Sequence, residues 1–536
     1  MKKLKLVCVA IAMAGAAPTF AGGLLTNTNQ HVAFNRMMSR EASIGIDGVY
    51  YNPAGVVFMG EGHHLAINWQ LAYQTRTINN DYKLFTNNVN NPITPRDFKG
   101  KAFAPVIPSF QYAYNKGKWS FQANFSLTGG GGKCTFDDGL GSFEKIVSET
   151  AIAACGLAGV VDQTLGNTLG QQGMEMFTSD QAFGKTGKYS FNSYMHGRQY
   201  YYGLSAGAAY KFCDNFSAFL GVRGVYALTN YYGYVENINV GNMPLYKVLD
   251  PTKENAANIE LSCDQTGVGF TPIIGVDYKT GRWNFSAKYE FKTRIRLKNK
   301  SVNQTPSIGN LPANLANQMT GILTARYQQA GLPLEQAKQQ AENTTNTVLS
   351  DPKVGATMMG LKTQFDQKLN KAIGEYEDGK KIAGDIPGYL ALGIGYSPVD
   401  AVRVNVGFHW FDDKNATSYN NRNKELKRGT LEYNAGVEVD VNKKITLSTG
   451  WQNTNYGLSD EYMDDKSFVV GSNSAAIGGV YHINKKMDLN VAYFHTFYQH
   501  KKTSETVQLA ADKSIVYNSD YTRNNNVFAV GLDINF

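Results

Sequence analysis

The stretch ASIGIDGVYYNPAGVVFMGEG, residues 42–62, precedes every regular pattern in the chain, and its reading decides how the rest is understood. Gly45, Gly48, Gly55, Gly60 and Gly62 permit tight bends, and Pro53 forces Asn52 away from helical backbone. Asn52-Pro53 is a turn signal, and Ala54 and Gly55 leave room for close packing. Alone, such a stretch is a surface turn. It becomes a compact irregular plug only if the following chain encloses it.

From His63 onward the chain alternates apolar and polar residues, the period of a strand with two different faces. Trp119, Phe121, Ala123, Phe125 and Leu127 fall on one side, and Ser120, Gln122, Asn124, Ser126 and Thr128 on the other. Trp283, Phe285, Ala287, Tyr289 and Phe291 oppose Asn284, Ser286, Lys288, Glu290 and Lys292. Val402, Val404, Val406, Phe408 and Trp410 oppose Arg403, Asn405, Gly407 and His409. A face this rich in charge cannot line a dry core.

The pattern predicts fourteen strands, over 63–77, 104–115, 118–129, 199–212, 216–228, 267–279, 283–297, 388–397, 402–412, 429–441, 445–457, 470–483, 487–501 and 525–536. Six connections are short, at Asn115 to Lys118, Cys213 to Asn215, Lys279 to Arg282, Ser397 to Ala401, Asn442 to Lys444 and Asn484 to Lys486. Seven longer loops lie between them, the longest being 130–198, 229–266 and 299–387. An even count of antiparallel strands with short turns on one rim and long loops on the other describes a closed transmembrane β-barrel. Both chain ends then fall on the short-turn side. A soluble sandwich also alternates, but it turns its apolar face to a partner sheet and has no need of such unequal loops.

The N-terminus carries Lys2, Lys3 and Lys5, an apolar run from Leu6 to Ala17, and Pro18 to Ala21, which predicts a secretory signal peptide over 1–21. Cys8 lies inside that run without small residues before it and is not read as a lipidation site. Cleavage lowers the formal charge from +8 to +5, and no basic block argues for nucleic acid. After the signal no run reaches the roughly 18 apolar residues of a spanning helix. The division is therefore signal peptide 1–21, hatch 22–62 and barrel 63–536.

Two outer loops carry helical stripes. Leu157, Val160, Val161, Leu165 and Leu169 share one face in the first; Met358, Leu361, Phe365, Leu369, Ile373 and Tyr376 share one in the other. Such stripes pack loop against loop or form an apolar landing surface at the barrel mouth. Gly129, Gly130, Gly131 and Gly132 end the third strand, where no side chain fills the wall. They are either a flexible loop entry or a kink that opens a gap. Four cysteines follow the signal, and export permits a disulfide, for which Cys134 with Cys155 is the candidate pair.

Three apparent motifs are discarded. Gly203 to Gly207 spells GxSxG, but inside a strand rather than at a strand-to-helix turn. Gly184-Lys185-Thr186 lacks the first glycine of a phosphate loop, which would fall at Ser179. His63 and His64 point to opposite faces and cannot chelate together. No metal, cofactor or catalytic set is expected, and the protein is not read as an enzyme.

With these features in hand, the chain resembles the FadL-type outer-membrane transporters of long-chain fatty acids and other hydrophobic compounds. The resemblance rests on NTNQHVAFNRMMSREASIGIDGVYYNPAGVVFMGEG with its Asn52, Pro53 and Ala54, on KYEFKTRIRLKNKS from Lys288 to Ser301, and on IPGYLALGIGYSPVD from Ile386 to Asp400. It implies a monomeric barrel in the outer membrane of a Gram-negative bacterium, in contact with membrane lipid. It also implies capture of a hydrophobic ligand between outer loops, a hatch gate, and sideways exit through a kinked third strand. Arg223, Lys288, Lys292 and Arg403 project inward and are candidates for a ligand head group. A hydrophilic diffusion porin is the first rival, and a surface adhesin or haem receptor the second.

Overall fold

The computed structural model describes residues 24–26, 30–171, 173–306, 309–510 and 513–536; the expected signal peptide, 1–21, lies outside them. Fourteen antiparallel strands close on themselves. They are β1 (Gly62–Tyr82), β2 (Arg96–Lys116), β3 (Trp119–Phe136), β4 (Tyr189–Cys213), β5 (Phe216–Val240) and β6 (Ile259–Thr280). Next come β7, in two pieces (Trp283–Glu290 and Arg296–Gln304), β8 (Tyr389–Val399), β9 (Val402–Phe411) and β10 (Arg428–Asn442). The last are β11 (Ile445–Gly457), β12 (Ser472–Asn484), β13, also in two pieces (Met487–Tyr498 and Lys501–Ala510), and β14 (Lys513–Asn535). Closure is made by β1 against β14, from His64 opposite Asn535 to Tyr82 opposite Tyr517.

The alternation resolves into an inside and an outside. Leu204, Leu220 and Phe270 are 64%, 69% and 68% exposed on the outer surface, whereas Gln70 and Gln111 are 0% exposed inside. Apolar residues out and polar residues in is the reverse of a water-soluble sandwich and fits a wall surrounded by hydrocarbon. All six short connections are two-residue turns, as between Lys116 and Trp119 or Cys213 and Phe216.

Several strands outrun their sequence-predicted ends at the long-loop rim. β4 begins at Tyr189, β5 ends at Val240 and β14 begins at Lys513. Beyond the apolar belt a strand keeps its ladder but no longer needs an apolar outer face, so the alternation that reveals it fades. The last outer connection, expected as a long loop, is accordingly a hairpin in which Lys501–Ala510 pairs with β14.

The long-loop rim carries a helical cap. Helix α3 (Gly141–Leu169) follows β3, and α5 (Leu311–Gln329), α6 (Leu334–Leu349) and α7 (Pro352–Ile373) follow β7; the hatch holds α1 (Val32–Arg36) and α2 (Gly48–Tyr51), and α4 (Tyr246–Leu249) precedes β6. By length and composition α3 is apolar enough to cross a membrane, with a mean hydropathy of 1.2 over 18 residues. It lies instead in the cap, where Ala151, Leu157, Val161 and Leu165 share one core with Leu315, Met319, Leu323 and Phe365. Val147, Ala151, Ala154, Ala158 and Leu165, at helical spacing, belong to the stripe that α3 gives to that core.

Candidate functional site

The hatch fills the short-turn half of the lumen and is tied to the wall on all sides. Its N-terminal part, α1, hangs from β1: the Val32 amide donates to Asn68 Oδ1 at 3.1 Å and Asn35 donates to Gln70 at 2.8 Å. Arg36 pairs with Glu438 of β10 and donates to Ser448 and Asn490 at 3.0 and 3.2 Å. Arg40 bridges Asp47 at 2.7 Å and Glu438 at 3.2 Å. Burial pushes the Asp47 carboxyl up, but the Arg40 guanidinium outweighs it and holds the group below its ordinary range. Glu41 reaches His409 of β9 at 2.7 Å, and His409 reaches Glu432 of β10 at 2.9 Å. Burial raises Glu41 too, and the imidazole beside it brings the carboxyl below its ordinary value.

Asn52, Pro53 and Ala54 form the joint between hatch and wall. Asn52 Nδ2 donates to Asp277 of β6 at 2.6 Å, and its Oδ1 accepts from the Gly55 amide at 3.2 Å, closing the turn. The Pro53 carbonyl accepts from Gln122 of β3 at 2.7 Å, the Ala54 carbonyl from Ser217 of β5 at 2.7 Å, and the Val56 carbonyl from Asn115 of β2 at 2.8 Å. A Cβ on Gly55 would collide with the Asn52 side chain. The irregular backbone leaves carbonyls without ladder partners, and the polar lumen side chains supply them.

Above the hatch lies a lumen cavity of about 240 Å³ lined by residues including Leu24, Leu25, Ile107, Leu127, Arg76 and Arg523. Gly129, Gly130 and Gly132 form part of its wall. There the β2–β3 ladder is interrupted: pairing jumps from Phe103 opposite Lys133 to Ser109 opposite Ser126, so residues 104–108 and 127–132 do not pair with each other. Pairing of β3 with β4 is shifted at Leu127/Gly129 and again at Gly130/Gly132. Gly130 has φ +79°, a left-handed backbone that suits glycine. The facing stretch of β2 contains Pro105 and Pro108, which have no amide to donate. Those prolines are a sequence signal for a weakened ladder in this stretch.

The four inward cations expected as a head-group set are each engaged by a carboxylate. Arg223 holds Glu290 at 2.6 and 2.9 Å, and Lys288 holds Glu290 at 2.9 Å and the Tyr50 carbonyl at 2.7 Å. Arg403 holds Asp440 at 2.7 and 2.6 Å, and Lys292 lies 3.9 Å from Asp385. A different pair faces the cavity. Arg76 of β1 and Arg523 of β14 are register partners, and among the described residues neither makes an ion pair. Arg523 donates to Gln74 at 2.7 Å and stacks over Tyr498, while its buried Nε has no partner.

A second, smaller cavity of about 60 Å³ lies under the cap, between α3 and the upper ends of β5 and β6. Phe143, Ile146, Val147, Ile259, Leu261 and Ile373 line it, and it shares Met195, Tyr231 and Lys466 with the lumen cavity. The α7 stripe turns toward α3: Phe365 is buried in the shared core, and Met358, Leu361 and Leu369 pack against it. The Cys134–Cys155 pairing is corrected. All four described cysteines are free, Cys134 lining the lumen cavity from β3 and the Cys155 thiol donating to the Phe183 carbonyl at 3.4 Å from α3. Cys134 lies near the upper end of β3 among Ile78, Phe136 and Phe468, whereas Cys155 lies midway along α3 against the cap core.

These features define a class: a closed fourteen-stranded barrel with an N-terminal hatch in its lumen and an interrupted wall beside a lumen cavity. No family profile and no curated protein matches the chain. Among solved structures it is similar to a FadL homologue of Pseudomonas aeruginosa, with 13% identity, a TM-score of 0.57 and coverage of 96% of this chain and 100% of the other. It is also similar to a deltaS2S3 mutant of the monoaromatic hydrocarbon channel TodX, with 13% identity, a TM-score of 0.50 and coverage of 94% and 98%. The chain therefore has the FadL-type fold.

Proposed function

We propose that the protein is an outer-membrane channel for passive uptake of a hydrophobic molecule bearing an anionic head group, of which a fatty acid is the simplest example. The observation that carries this reading is the lumen cavity whose wall includes the unpaired stretch of β2 and β3. An apolar ligand crossing a water-filled lumen would lose the advantage of staying out of water, whereas a side opening delivers it to hydrocarbon. Entry is through the apolar cavity under α3, which shares walls with the lumen cavity; exit is past Gly129 to Gly132. The hatch, anchored at Asn52, Pro53 and Ala54, closes the way to the short-turn end. No chemistry is performed on the ligand. The FadL and TodX structures support the reading through their shared fold.

Arg76 and Arg523 supply the polarity. Two guanidiniums held opposite each other without a carboxylate favour an anion between them, and Arg binds carboxylates through two parallel bonds. Below them Ala72, Ala104, Ile107, Leu127 and Val527 give the tail an apolar path toward the interruption. The test is uptake of labelled fatty acid and of a neutral aromatic hydrocarbon into cells with the wild type, with Arg76→Gln/Arg523→Gln, and without the protein. Wild-type cells take up the acid, and the double variant loses that uptake selectively. Equal uptake with and without the protein across both ligands refutes the channel. Steady sugar conductance through the intact wild type in bilayers favours a porin instead.

A further inference from the structure

Outside that site, the outer surface of the wall carries a row of cations. After its interruption at residues 291–295, β7 resumes as Arg296–Gln304. Along this run Ile295, Leu297 and Asn299 are buried toward the interior, while Arg294, Arg296, Lys298 and Lys300 are exposed outward. The short strand Lys381–Ala383 pairs beside it and sets exposed Lys381 directly opposite Lys298. Like charges facing each other destabilise a sheet unless something between them is negative.

The nearby carboxylates do not neutralise the row. Asp385 takes Arg296 at 2.8 Å, and Asp378 accepts from the Ser301 amide at 2.8 Å. Asp264, the register partner of Lys300, accepts from Asn230 at 2.8 Å. Among the described residues Arg294, Lys298, Lys300 and Lys381 make no ion pair.

The row's height on the wall is informative. The backbones of Gly267 and Gly269 lie against the Arg296 and Arg294 carbonyls, so the cations begin beside Val268 and Phe270, both exposed on the apolar belt. Phe291, also exposed, precedes them on the same strand. Long basic side chains at the edge of an apolar belt stretch toward the head-group layer. Residues two apart on a strand are roughly 6.7 Å apart, so Arg294 to Lys300 spans about 20 Å, enough for more than one phosphate.

We infer that this row is a docking surface for a phosphate-bearing lipid head group of the outer leaflet. The inference rests on the outer-membrane reading but not on the ligand or its route. Clusters of four or more Lys and Arg just beyond the hydrocarbon bind anionic head groups, and Arg294 adds the planar fork that fits a phosphate.

The test uses the full-length folded barrel in neutral detergent, with diphosphorylated lipid A and its phosphate-free form as probes and native mass spectrometry as the readout. Two variants are compared, R294Q/K298Q/K300Q/K381Q and a short-turn control, K116Q/K118Q/K443Q/K444Q. All eight positions are exposed, so the barrel fold is retained. The wild type and the control are expected to prefer the phosphorylated lipid by at least about tenfold, and the first variant to lose that preference. Equal binding of the two lipids by the wild type overturns the inference. So does an undiminished preference in the first variant, an equal loss in the control, or binding of an acidic polypeptide with no lipid preference. Uptake into vesicles lacking phosphorylated glycolipid is measured separately; its failure counts against the channel and leaves this inference standing.

Discussion

Replacing Glu438 by Gln should loosen the hatch while leaving the barrel closed. Glu438 is buried in β10 and faces three cations: Arg36 in direct contact, Arg40 at 3.2 Å and Arg403 at 3.5 Å. Removing one partner of a buried ion pair costs about 3–5 kcal/mol, because the opposite charge stays buried and uncompensated. Here the lower end applies. Arg40 keeps Asp47 at 2.7 Å, Arg403 keeps Asp440 at 2.6 Å, and Arg36 keeps Ser448 and Asn490 at 3.0 and 3.2 Å. About 3 kcal/mol, at 1.36 kcal/mol per decade, corresponds to a roughly 150-fold rise in the open fraction of the hatch. Hydrogen exchange of residues 30–51 in the folded protein reads this directly, as a loss of protection near two decades with barrel strands unchanged. Asp440→Asn on the same strand is the comparison: Asp440 is partly exposed, and its loss should cost under about 1 kcal/mol. Equal protection of the hatch in wild type and Glu438→Gln, or an equal loss in Asp440→Asn, refutes the view that this buried network holds the hatch.

Three further outcomes are expected. Gly130→Ala must place a side chain at φ +79° and against the Gln199 carbonyl, a strain of at least about 1–2 kcal/mol, so ligand uptake should fall while outer-membrane assembly persists; unchanged uptake argues against a role for the kink. Glu375, in the loop after α7, is pushed up to about 8 by burial. The folded loop therefore holds a proton that the unfolded chain releases near the ordinary carboxylate range. Its stabilisation is complete below about pH 4.5 and is lost as pH rises toward 8. Exchange at residues 374–378, corrected for intrinsic rates, should quicken over that window, and Glu375→Gln should flatten the dependence. Alkylation without reductant should label all four described thiols, exposed Cys213 first and buried Cys134 and Cys263 last; a Cys134–Cys155 peptide in a non-reducing digest contradicts the structure.

The barrel was legible because hydrocarbon and water impose opposite demands on successive residues, and the alternation in Trp119 to Thr128 records both. Legibility ended where those demands ended: above the belt, Tyr189 to Arg198 or Lys513 to Asn524 keep a ladder but no code. The Asn52 joint was readable from local turn chemistry, although its partners Asp277, Gln122 and Ser217 are set only by three-dimensional closure. The strand period alone places Lys288 on the inward face. Glu290, two residues on and on that same face, was the available sign that this lysine had a partner. Arg76 and Arg523 leave no local mark in the sequence, because they meet through the first and last strands, a pairing that exists only once the barrel closes.

Pro105 and Pro108 bear on the permanence of the slit. Residues 104–108 of β2 leave the ladder with β3, and among them Pro105 and Pro108 have no backbone amide to donate to either neighbour. Loop motion cannot supply an amide that a proline lacks. The seam is thus an architectural fixture, like a window frame built without a sash. In the proposed channel, control over what passes falls to whatever occupies the space behind the seam, where Leu24 packs against Gly129.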